Sequence, residues 1–63
     1  MNANSKQYIA GYDYAAGALL RGEETPQSLE DKVWEVEDFE RGIFDASFIL
    51  TRSGVIKDDG ELK

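Results

Sequence analysis

Thr25-Pro26 and Ser53-Gly54 bracket a stretch whose apolar residues recur at alternating three- and four-residue steps. Thr is a favoured N-cap, and Pro at the first helical position loses no hydrogen bond. Gly just past the last turn accepts the left-handed backbone that ends a helix. Between these signals Leu29, Val33, Val36, Phe39 or Glu40, Ile43, Ala46 or Ser47, and Leu50 stay on one helical face. Trp34, Phe44 and Phe48 widen that face on an adjoining flank. The spacing predicts an amphipathic helix over about residues 26–52, with Gly42 the place for a bend or break. Ser28, with Asp31 three residues on, offers a second start, but Thr25 carries the stronger signal.

An earlier helix is predicted over about residues 6–21. Ile9, Tyr12, Ala16 and Leu19 form one stripe at helical spacing, and Tyr8, Gly11, Ala15, Ala18 and Gly22 form a second. The second stripe is nearly all small, so it suits close approach of another helix. Gly11 and Gly17 each cost about 1 kcal/mol relative to Ala inside a helix, and close helix packing is the expected reason for them. Gly22 is the expected stop, with Arg21 at the negative end of the helix. Tyr14 stands about 200° around the helix from Tyr12 and is therefore expected to be exposed.

Two helices joined by so short a connection are expected to run antiparallel. The predicted fold is all-α, a single domain over residues 1–63 built as an antiparallel two-helix hairpin, with flexible ends at 1–5 and 55–63. A chain of 63 residues buries only about 60% of the surface its unfolded form exposes, and with no Cys and no His it lacks disulfides and the usual zinc ligands. Self-association is the remaining support. A homodimeric bundle is thus expected, with Gly11, Ala15, Ala18, Ile43, Phe44, Phe48 and Leu50 as the self-association residues.

The net charge of −6 is unevenly placed. Residues 1–22 sum to +1, residues 23–45 to −7, and residues 46–63 to zero. An acidic segment of this kind repels phosphate backbones and favours basic protein partners, so direct nucleic-acid binding is not expected. Glu30, Glu35, Glu37 and Asp38, with Tyr14 and Trp34 as aromatic anchors, are the candidate partner-binding residues. No apolar run is long enough to span a bilayer, and no apolar leader core is evident, so the expected location is the cytoplasm.

Catalytic chemistry has no foothold in the pattern. Nucleophile–base pairs need His or Cys in their common forms, and Ser47 and Ser53 lack the G-x-S-x-G setting. Phosphate-binding glycine loops are missing, and Asp58-Asp59-Gly60-Glu61 lacks the alternating ligands of a calcium loop. The expectation is a protein without enzymatic activity, cofactor or metal.

The segments YIAGYDYAAGALLRG at 8–22 and FERGIFDA at 39–46 resemble the helical-hairpin family of bacterial ribosome modulation factor. Gly11, Tyr12, Ala16, Gly22, Pro26, Phe39, Gly42 and Ala46 are the matching positions. The resemblance implies a ribosome-associated modulator, although that family is basic and this chain is acidic. As a whole, the chain is similar to the small early-region proteins of lambdoid bacteriophages, in its length, its MNANSKQYIAGYDYAAGALLRGEE opening and its acidic helical body. That likeness implies a host-directed accessory protein that binds a bacterial factor and favours lytic development over lysogeny. An acidic mimic of nucleic acid, blocking a DNA-binding protein, is the third expectation.

Overall fold

The computed structural model describes residues 5–56. The parts of the expected flexible ends at residues 1–4 and 57–63 lie outside the described residues, as does Asp58-Asp59-Gly60-Glu61. Three helices follow in order, α1 (Lys6–Arg21), α2 (Pro26–Asp31) and α3 (Glu37–Ser53), with no strand among the described residues.

The first helix has the expected bounds. Ser5, expected to belong to a flexible end, is instead its N-cap, its hydroxyl accepting from the Tyr8 amide at 3.1 Å. Gly22 ends the helix in the left-handed region, at φ 78°. Its amide and that of Glu23 bond back to the Ala18 and Leu19 carbonyls. Thr25 then caps α2 as its spacing predicts. Its hydroxyl accepts from Ser28 N, while Ser28 Oγ accepts from Thr25 N, and Pro26 follows directly.

The long second helix does not form as one piece. Its break lies at residues 32–36 and not at Gly42, which sits inside a continuous α3. Lys32 and Val36 are extended, at φ/ψ of −88°/153° and −100°/116°. The local reason is modest helix propensity, since Val33, Trp34 and Val36 are β-branched or aromatic. The deciding reason is packing. In one straight helix Leu29 and Ile43 would stand about 21 Å apart along the axis, yet both are fully buried in one core cluster with Ala15, Leu19 and Ala46. Trp34 seals the break by donating its indole N–H to the Leu29 carbonyl at 3.1 Å.

The principal contact is between α1 and α3, and it departs from an antiparallel hairpin. Ser5 Oγ donates to Asp38 Oδ2 at 2.8 Å, so the starts of the two helices lie together. Further along, Gly11 lies on the Phe39 backbone and Gly42 on the backbone of Tyr8 and Tyr12. Near the far end, Pro26, just past α1, lines the same hollow as Thr51 and Arg52 of α3. The two long helices therefore run in the same sense. Gly11-x-x-x-Ala15 on one and Gly42-x-x-x-Ala46 on the other, all four buried, let their backbones meet. Parallel packing is possible because α2 and the extended connector carry the chain back to the starting end.

Of the two α1 stripes, the small one is the core. Gly11, Ala15, Ala18 and Leu19 are buried, Tyr12 and Ala16 are partly so, and Ile9 is exposed. At the C-terminal end Gly54 closes α3 at φ 85°, and the Val55 amide bonds back to the Leu50 carbonyl. Ile56, expected in a loose tail, packs against the core cluster.

Candidate functional site

Two surfaces combine exposed apolar side chains with aromatic and charged neighbours. The first is the connector between α2 and α3. Val33 is 91% exposed and Val36 49%, although the apolar spacing placed both on a buried stripe. The break at residues 32–36 turns them outward. Trp34 faces inward and is half-buried between Tyr14, 5.8 Å away edge to face, and Phe39, 5.7 Å away. Tyr14 is 38% exposed, so it is both the exposed tyrosine that the helical spacing predicts and the outer member of this aromatic cluster.

A chain of polar contacts fixes the connector. Glu24, just before the α2 cap, accepts from Lys32 Nζ at 2.6 Å and from Ser28 Oγ at 2.6 Å, reaching along the whole of α2. The Lys32 ammonium, and secondarily the Ser28 hydroxyl, hold the Glu24 carboxyl below its ordinary range. Lys32 in turn lies 5.9 Å from the Trp34 ring centre, within cation–π reach.

The expected acidic residues are dispersed. Glu30 is on α2, Glu35 in the connector, and Glu37, Asp38 and Asp45 on α3. Asp38 accepts from Ser5, and Asp45 accepts from the Tyr8 hydroxyl, so both face α1. The Tyr8 phenol is held above its ordinary range, first by that bond and then by desolvation. Glu30, Glu35 and Glu37 are exposed. Thus Glu35 and Glu37 follow Val33 and Trp34 on either side of Val36, while Glu30 belongs to the second surface and Asp38 to the internal clasp.

That second surface is a hollow of about 300 Å³ between α2 and α3, lined by Pro26, Glu30, Phe44, Ser47, Phe48, Thr51 and Arg52. Phe48 is 62% exposed and Phe44 37%. The Arg52 guanidinium lies 5.7 Å from the Phe48 ring centre. Thr51 Oγ1 is buried without a hydrogen-bond partner among the described residues. Of the expected self-association residues, Phe44 and Phe48 are open here and Leu50 packs partly on the core. Gly11, Ala15, Ala18 and Ile43 are buried within the single chain and cannot line an outer surface.

Sequence reasoning missed Val33 because periodicity reads a continuous helix through it. It also missed Arg52 and Pro26, although Arg52 follows Phe48 by the same four residues that separate Phe48 from Phe44. Among the described residues no helix is long and apolar enough to cross a membrane. The chain matches no family model, no curated protein and no solved structure.

Proposed function

We propose that this chain is a small accessory regulator that acts by binding another protein and not by catalysis. The observation that carries the reading is Val33, held almost wholly in solvent by the α2–α3 connector beside the Tyr14–Trp34–Phe39 cluster. Trp and Tyr are the side chains most enriched among interface anchors, and the exposed Val33 extends the apolar patch around them. The exposed Glu35 and Glu37 that follow the anchor favour a partner with a basic rim. The resemblance to lambdoid early-region proteins supports a bacterial partner in the host cytoplasm and a role that tilts infection towards lytic growth. The net charge of −6 weighs against a ribosomal RNA target, and the dispersal of the acids over three elements weighs against mimicry of a nucleic-acid backbone. The chain acts as a homodimer, whose contact surface is the exposed back half of α3.

The test is capture from nuclease-treated bacterial lysate with the full chain and with Val33→Asp. The parent chain is expected to retain one defined protein in stoichiometric amount, and Val33→Asp to lose it while keeping its helical circular dichroism. Equal recovery on both, or nothing above background on either, defeats the reading.

A further inference from the structure

Four-residue steps along α3 meet Glu40, Phe44, Phe48 and Arg52 in turn. Side chains so spaced form a single ridge on a helix, here about 18 Å from end to end. The ridge begins with an acid, ends with a cation, and carries two exposed phenylalanines between them. Neither Glu40 nor Arg52 forms a salt bridge among the described residues. The hollow between α2 and α3 runs beside the ridge, so a bulky neighbour has somewhere to seat its rings.

Such an order of groups is its own complement under a two-fold rotation. Turned end for end, acid meets cation and phenylalanine meets phenylalanine at both ends together. We infer that the chain pairs with a second copy through this ridge, antiparallel, with Phe44 of each against Phe48 of the other and Arg52 of each against Glu40 of the other. Ridges of this kind interlock at a crossing angle of about −50°, and the contact is isologous, as two-fold pairs require. A purely basic helix would suit Glu40 but bring like charge to Arg52, and a purely acidic one would fail at Glu40. The second copy satisfies both ends. The inference deepens the dimeric part of the proposed function and rests on it.

Sedimentation or light scattering of the full chain at high micromolar concentration is the experiment, with circular dichroism to monitor the fold. The parent chain is expected to be a dimer and Phe48→Asp a folded monomer. Arg52→Glu and Glu40→Arg should each weaken self-association by about tenfold or more. An equimolar mixture of these two variants should recover dimer, because both cross-pairs are then opposite in charge, and the double variant should recover it alone. A monomeric parent chain overturns the dimer and the inference together. A parent dimer that survives Phe48→Asp overturns only the ridge pairing, as does a mixture that fails to recover dimer from two folded single variants. Neither of these last results touches the capture experiment at Val33.

Discussion

Gly42 of α3 lies against the backbone carbonyl of Tyr8 in α1, where a side chain of any size would collide. A Cβ there would also come within 2.7 Å of the Tyr12 nitrogen, and one on Gly11 within 2.8 Å of the Phe39 carbonyl carbon. Backbone atoms held in helical hydrogen bonds cannot swing aside. Gly42→Ala and Gly11→Ala should therefore each destabilise by about 1–3 kcal/mol, overpacking outweighing the helix-propensity gain. Gly17 differs, since its added Cβ meets the flexible end of Arg21. Gly17→Ala is expected to stabilise by about 0.4–1 kcal/mol. Urea denaturation of the three variants checks the contrast.

Leu29 and Ile43 are the largest side chains buried to completeness. Leu29→Ala should cost about 2–5 kcal/mol, enough to unfold much of so small a protein at room temperature. Val33→Ala, four residues on, should change stability by less than about 0.5 kcal/mol. Thermal melts of the two decide whether the break at residues 32–36 exists in solution, because one continuous helix would bury both positions.

The third helix starts without a side-chain cap, its N-cap being Val36. Glu37, Asp38 and Glu40 in the first turn offset the positive end of the helix but leave that capping bond unmade. Val36→Ser should add the bond and stabilise by about 1 kcal/mol. The rise should appear as a higher denaturation midpoint with unchanged slope.

Two hydrogen bonds give stability opposite dependences on pH. Glu24 has its carboxyl lowered in the fold by Lys32. Its contribution is present above the unfolded carboxyl value and fades as pH falls through the folded one. Tyr8 is raised by its bond to Asp45. Its contribution is complete below the unfolded phenol value and fades as pH rises through the folded one. Glu24→Gln should flatten the acid limb of a stability–pH profile and Tyr8→Phe the alkaline limb. Both groups are solvent-accessible, so added salt should shrink the Glu24–Lys32 effect. In the parent protein Tyr8 should ionise above the ordinary phenol range by ultraviolet absorbance, and Tyr8→Phe should remove that step.

Local signals marked where helices begin and end. Thr25-Pro26, Gly22 and Gly54 each act within a few residues, so neighbouring sequence is enough to read them. Periodicity likewise put Leu29, Ile43 and either Ala46 or Ser47 on one apolar face and Leu19 on an apolar stripe of α1, and Leu19, Leu29, Ile43 and Ala46 are core residues. It could not tell that Val33 and Val36 drop out of phase. Their helix propensity is only slightly unfavourable, and the break follows from Leu29 having to reach a core shared with Ile43. Direction was equally hidden. Small residues at Gly11 and Ala15 announced a close helix contact, while Gly42 read only as a bend, and small side chains fit parallel and antiparallel neighbours alike. The clasp of Ser5 on Asp38, thirty-three residues apart in sequence, shows that the two helix starts come together. Caps and periodicity are properties of adjacent residues; the break, the parallel crossing and the exposed Val33 arise from contacts that exist only once distant segments meet.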